Sequence, residues 1–282
     1  MINNIEDLII DKNHEVFKRE EYQKDKYMFS IIEENLNLET IFLVSDGEKY
    51  IAGRTEENRP VWIWTINDIA DDKIEEIKDV IRYFVSLGNK KFTIKKDIYD
   101  KLKNSNFELI NYDDYFEMGA LECHELKKAK ECNGYIDRPR EDEIDILAKY
   151  WHDDCKEMVK ADEVTMEEAY EHMSELIKTD TFLVWRNDFG KIVSMVKYKV
   201  SNGLAKLNHV YTPDEERRKG YAANLIYAVT KDMLEKGYGP LLYTDYNYLP
   251  SNKSYMNVGY VHTGVLINFS CKKKIFKLIK VL

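Results

Sequence analysis

The chain is poor in cysteine, proline and glycine, and it has no long apolar run. Its four cysteines, Cys123, Cys132, Cys155 and Cys271, form no C-x-x-C pair and no metal-finger spacing. That excludes a disulfide framework and a structural zinc site, and a reducing, cytoplasmic setting is expected. Only 12 Gly and 5 Pro among 282 residues, with 44% hydrophobic and 33% charged side chains, exclude a disordered or fibrous chain. No segment approaches the roughly 20 apolar residues of a membrane span. Near the N-terminus the only apolar run is Leu8, Ile9 and Ile10 between acids, which lacks the basic start and long apolar stretch of a signal peptide. An excess of positive charge is also missing: 42 basic against 51 acidic residues give a net charge of -9. A protein that coats nucleic acid is therefore not expected, and an anionic ligand must meet a local basic site.

What is present is a packed αβ chain long enough for two domains. Residues 13–36 read as helical. Ile41 to Ser45 and Lys49 to Gly53 read as a hairpin around Asp46-Gly47-Glu48, and Val61 to Ile66 as a third strand. Ile74, Ile77, Ile81, Phe84 and Leu87 mark one helix face. A strand at 92–95, a short helix at 97–105 capped by Asp97, and two further strands before residue 123 follow. A polar stretch then sets the boundary, giving domains at 1–130 and 131–282. In the second half Ile144, Leu147, Ala148, Trp151, Cys155 and Met158 form a helical stripe, with another helix at 166–178. Strands at 181–187, 191–200 and 204–212, a helix at about 221–236, a strand at 241–247, a short helix at 252–258 and a final strand or pair at 261–271 complete it. Both halves share this order, so the fold class is α/β (α+β): one unit written twice, each a mixed, mostly antiparallel twisted sheet flanked by helices.

The chemistry gathers between His209 and Leu225. Arg217-Arg218-Lys219-Gly220-Tyr221-Ala222 follows a strand and opens a helix. Successive amides at a helix N-terminus suit a pyrophosphate; Gly220 lets backbone approach, and Ala222 and Ala223 keep the first turn open. A solvated basic loop is the bland rival.

Residues 134–271 resemble the GNAT (Gcn5-related) N-acetyltransferase family. Its Q/R-x-x-G-x-G/A signature is matched by Arg217, Gly220 and Ala222, after a strand ending Val210-Tyr211-Thr212-Pro213. The resemblance implies acetyl-CoA as cosubstrate, lying between that strand and the strand at 241–247. Its pantetheine arm would pair with the backbone of Val210 and Thr212, and its pyrophosphate would rest on the amides of 218–223, with Arg217, Arg218 and Lys219 supplying charge. Asn252 matches the family's cofactor-contacting Asn, and Tyr255 the Tyr aimed at the sulfur. A phenol stays protonated at neutral pH, so Tyr255 is the expected general acid. Where some members carry a catalytic Glu this chain has Lys206. His209 is then the nearest base, a structural His being the rival. The run Trp151 to Cys155 is read with His152, Asp153 and Asp154 as the solvated face of a helix, recognition of a cationic amine being the alternative. No metal site is expected.

The turn after the first half's third strand, Asn67 to Lys73, has no Gly and three acids, and would repel a pyrophosphate. The first half thus reads as a degenerate copy that covers the acceptor cleft, pairs two copies into a homodimer, or stabilises. The tail from Cys271 carries five lysines and is expected to dock as a last element rather than bind a membrane or nucleic acid. The expected activity is acetyl transfer to an amine by direct attack. A non-catalytic acyl-CoA-binding protein, another acyl donor, and aminoacyl transfer from tRNA, which needs a broad basic surface, are the alternatives.

Overall fold

The computed structural model describes residues 5–56, 58–158 and 163–272; most of the lysine-rich tail lies outside them. The chain forms two compact units, dividing between Gly119 and Ala120 and again between Thr263 and Gly264. The first unit contains β1 (Ile9–Ile10), α1 (Glu20–Asp25), α2 (Ser30–Asn35), β2 (Phe42–Ser45), β3 (Tyr50–Arg54), β4 (Val61–Thr65), α3 (Asp71–Ser86), β5 (Lys91–Lys95), α4 (Lys96–Asn104) and most of β6 (Ile110–Glu122). The second contains β7 (Tyr135–Asp137), α5 (Ile144–Glu157), α6 (Met166–Leu176), β8 (Phe182–Arg186), β9 (Ile192–Ser201), β10 (Leu204–Tyr211), α7 (Tyr221–Glu235), β11 (Gly239–Asp245) and α8 (Leu249–Val258). The final strand, β12 (Val261–Cys271), begins in the second unit and ends in the first.

In the first unit β1 to β4 pair antiparallel in sequence order, and β4 runs parallel to β5. Leu266 to Ser270 of β12 then pair antiparallel with Lys95 to Lys91 of β5. The second unit repeats the pattern: β7, β8, β9 and β10 pair antiparallel, and β10 runs parallel to β11. Beside β11, Cys123 donates its amide to the Pro240 carbonyl at 3.1 Å. The end of β6, residues 120–122, thus belongs to the second unit, and residues 264–271 of β12 belong to the first. The sequence boundary near 130 and the compact units accordingly differ: residues 120–130 go with the second unit, and residues 264–272 with the first.

The apolar patterns explain these elements. Ile74, Ile77, Ile81 and Phe84 of α3 fall on one face and share a core with Val61, Ile63, Phe92 and Ile94. In the second unit neighbouring residues of β9 serve opposite faces. Val193 and Val196 join Leu225, Ile226, Val229 and Met233 of α7, while Ile192 and Met195 join Leu147, Trp151 and Met173 of α5 and α6. Each such side chain contributes about 1.5–3 kcal/mol by burial.

Local details depart from expectation. α4 begins at Lys96, so Asp97 sits inside the first turn and caps nothing. The two strands expected before residue 123 are one, β6, which runs unbroken through Asp113 and Asp114. α8 starts at Leu249, three residues early, with Pro250 at its first turn where no amide is needed. It stops at Gly259, whose φ of +112° and closeness to the Glu125 carbonyl leave no room for a Cβ. α6 opens with a Thr165–Glu168 capping box.

Candidate active site

β10 and β11 are in parallel register from Leu204↔Gly239 to Leu207↔Leu242, yet both strands run on, to Tyr211 and Asp245. Pairing between them ends at Leu207. On its other side β10 bulges against β9: Asn208 faces Lys197 and Tyr211 faces Met195, leaving His209 and Val210 without a register partner among the described residues. His209 has φ +48°, a left-handed conformation uncommon for a non-glycine and costing about 1–3 kcal/mol. A bulge of this kind re-aims side chains at the point where a sheet opens.

The His209 ring is held from two sides. Its Nδ1 lies 2.8 Å from Asp154 Oδ2, and its ring packs on Trp151 with centroids 3.9 Å apart. With the carboxylate as acceptor, Nδ1 carries the proton and Nε2 is left as the basic nitrogen. Asp154 is only 7% exposed, which corrects its expected place on a solvated face. His152 and Asp153 are also partly covered, and Asp153 pairs with Lys149 at 2.7 Å. The missed signal is positional: Asp154 lies three residues after Trp151, within the apolar stripe of α5. Trp151 also packs on His172, centroids 4.3 Å apart, and Lys197 Nζ lies 5.4 Å from the indole centroid.

After Thr212 the chain makes one turn, Asp214 to Glu216, and reaches α7 through Arg218 (φ +64°) and Gly220 (φ +89°). Among the described residues the amides from Arg218 to Ala223 donate to no carbonyl; the first to do so is Asn224, to Gly220 at 3.1 Å. No acid lies in the first turn of α7. This is a set of open donors at the positive end of a 15-residue helix, which fits an anion. A Cβ on Gly220 would come 3.4 Å from that of Cys132.

The basic triplet is more tied down than its sequence suggests. Arg217 donates through Nε to the Thr212 carbonyl at 2.8 Å, and pairs with Glu157 and Asp214, each at 2.7 Å. Lys219 and Lys191 both hold Glu216 at 2.8 Å; their hydrogen bonds, Lys191's first, keep that carboxyl below its usual range. Arg217 and Lys219 thus fix the loop, and Arg218 alone of the three lacks an ion-pair partner among the described residues. Tyr221 contributes its amide, since its side chain lies in the core beneath α7. Ala222 and Ala223 are half-buried against the same core.

Asn252 is the fourth residue of α8, not its first, and is 4% exposed. Its Nδ2 donates to the carbonyls of Asp245 and Tyr246, both at 3.0 Å, fastening α8 to the end of β11. Its Oδ1 is buried without a partner, an acceptor suited to an amide N–H. One turn later the half-buried Tyr255 packs edge-on to Tyr260, centroids 6.0 Å apart. Burial, with a further push from the Asp154 charge, raises its phenol well above the usual range. Lys206, at the position of the family's Glu, is 7% exposed with its ammonium 5.8 Å from the Tyr243 ring centroid. Among the described residues no three His, Cys, Asp or Glu side chains gather as a metal site.

The place in the first unit that answers to this opening is filled. β4 and β5 pair from Val61↔Phe92 to Ile63↔Ile94, and Lys95 Nζ then donates to the Thr65 carbonyl, Asp25 and Asn67 at 2.7, 2.6 and 2.9 Å. Trp64 Nε1 also reaches Asp25, at 2.9 Å. α3 opens with Asp71 and Asp72.

The profile of the Acetyltransferase (GNAT) family matches residues 145–260. A GCN5-related N-acetyltransferase from Sphaerobacter thermophilus is similar in structure, with TM-score 0.61 at 11% identity over 92% of this chain and 91% of that one. A GNAT-family acetyltransferase from Colwellia psychrerythraea gives 0.57 at 10% identity over 88% and 90%. A GCN5-related N-acetyltransferase from Kribbella flavida gives 0.55 at 10% over 90% and 96%. No curated protein matches the sequence. Identities this low speak for the fold alone, and the profile match speaks for the segment that holds the dyad, the open amides and Tyr255. The chain carries a GNAT-family acetyltransferase domain at residues 145–260 and is an acyltransferase.

Proposed function

We propose that the second unit transfers an acetyl group from acetyl-CoA to an amine by direct attack. The observation that carries this reading is the parting of β10 from β11 after Leu207, with the His209–Asp154 pair at the point of parting. Val210, Tyr211 and Thr212 line the opening, and Val210, lacking a register partner, offers backbone groups to a pantetheine arm. The Thr212 carbonyl already accepts from Arg217, and the Tyr211 carbonyl from Ser194 at 3.0 Å. The amides of Arg218 to Ala223 would hold the pyrophosphate with Arg218 as its free charge, and Asn252 Oδ1 would accept an amide N–H. The cosubstrate supplies the activated acetyl thioester.

The protein's own residues move the protons. His209 Nε2 takes a proton from the acceptor's ammonium, and Asp154 stabilises the imidazolium that forms. Tyr255 keeps its proton at neutral pH and delivers it to the sulfur as the thiolate leaves, and its phenolate regains a proton from the nitrogen that becomes the amide. A route through an acetylated cysteine is disfavoured, since burial pushes the Cys155 thiol up to about 11. The filled opening of the first unit supports a degenerate copy that binds no CoA and serves to stabilise, to cover the acceptor or to form a homodimer.

Tyr255→Phe tests the reading. Thiol release from acetyl-CoA in the presence of amines should fall about a hundredfold in kcat, with CoA affinity unchanged. Equal rates for variant and wild type would remove Tyr255 from the mechanism; CoA binding without any amine-dependent thiol release would favour a non-catalytic acyl-CoA-binding protein.

A further inference from the structure

One cation beside the dyad is not used by the chemistry above. Lys197 is half-buried on β9, in register with Phe182 of β8 on one side and Asn208 of β10 on the other. Its ammonium lies over Trp151, the same indole that packs on His209 and His172. No carboxylate pairs with it among the described residues. Burial, and then the charge of Lys199, lowers its pKa. Burial first, then the charges of Lys197 and His209, likewise lowers His172, so that ring stays neutral at pH 7 and has one N–H to give.

A half-buried ammonium without a counter-ion is costly, and a cation–π contact with one indole offsets only part of that cost. Several nearby cations are paired, Lys149 with Asp153, Lys191 and Lys219 with Glu216, and Arg217 with Glu157, whereas Arg218, assigned above to the pyrophosphate, has no ion-pair partner among the described residues. Lys197, like Arg218, lacks such a partner, and it shares the Trp151 indole with His209 of the dyad.

We infer that the acceptor is an amine carrying a carboxylate, which Lys197 binds with His172 while the amine is presented to His209. This rests on the proposed acetyl transfer and names its substrate class. Lys197 and His209 touch one indole, so a short ω-amino acid spans them. Of the acids on α5, Asp153 is engaged by Lys149, Glu157 by Arg217 and Asp154 by His209.

The test compares glycine, β-alanine, 4-aminobutyrate and 6-aminohexanoate, each with its neutral carboxamide, as acceptors in a thiol-release assay. At fixed pH the amide has the larger fraction of free amine, so a preference for the carboxylate cannot come from amine ionisation. The wild type should favour at least one carboxylate about ten- to hundredfold in kcat/KM. Lys197→Met should abolish that preference through KM while leaving the amides unchanged, and Lys197→Arg should restore part of it. Equal use of acids and amides by the wild type, or a preference that survives in Lys197→Met, overturns this inference and leaves the transferase reading standing. If neither series drives thiol release although CoA binds, the transferase reading falls, and this inference with it.

Discussion

Asp154→Asn separates a positioned base from a histidine that merely packs. The substitution keeps the size of a side chain that is 7% exposed, and replaces a carboxylate 2.8 Å from His209 Nδ1 by a neutral amide. A charge-assisted hydrogen bond of this kind is worth about 1.5–3 kcal/mol, and an ion pair at this range in a partly buried site about 3–4 kcal/mol, the two overlapping rather than adding. Loss of transition-state stabilisation of about 2–4 kcal/mol corresponds to a fall in kcat of about thirty- to a thousandfold. The amide can also donate to Nδ1, which forces the proton onto Nε2 and removes the base. Turnover would be followed by thiol release with the acceptors above, and CoA affinity by calorimetry. kcat should fall with CoA affinity and melting temperature held. His209→Asn, whose side chain tolerates the left-handed backbone, should fall similarly, and the double variant should be no slower than the worse single one, because the pair acts as a unit. An Asp154→Asn enzyme with wild-type kcat would refute the dyad.

Two further outcomes follow from the scaffold. Arg186 is fully buried and holds Glu143 through two hydrogen bonds, Asp137 at 2.6 Å, and the carbonyls of Gly190 and Arg138. Arg186→Met should cost about 3 kcal/mol, the low end of the range for a broken buried pair because Asp137 is 40% exposed, and should lower the melting temperature by about 6–12 °C. Burial raises both carboxyls, but the Arg186 hydrogen bonds and nearby arginine charges outweigh it and leave their folded values below the unfolded ones. Their stabilisation is therefore complete above the ordinary carboxylate range of about 4 and lost as pH falls through the depressed values; thermal melts from pH 7 downward should show a steeper acid loss in wild type than in Arg186→Met. Gly220→Val places a β-branched residue at φ +89° against Cys132, and should weaken CoA binding at least about tenfold by calorimetry while the fold persists.

The order of elements was legible because each helix face and strand run carries its own period, and the phosphate turn because Gly220 and its small neighbours stand at a strand-to-helix junction. Three parts were not. The bulge that turns His209 has no Gly or Pro to announce it; it comes from pairing with Lys197 and Met195 of β9. The strand exchange is a choice among long-range partners, which local pattern does not encode. The engagement of Arg217 depends on Glu157, 60 residues away, whereas the Glu216–Lys219 pair lay at a readable spacing. Asp154 was visible in principle as a carboxylate set among Trp151, Leu147 and Cys155, a place where an acid stays only with a partner.

The most direct measurement is a structure of the protein crystallised with CoA. One CoA per chain is expected, with pantetheine against Val210, pyrophosphate on the amides from Arg218 to Ala223, and sulfur between His209 and Tyr255. CoA held at Thr65 and Lys95 of the first unit, or bound away from His209, would contradict it.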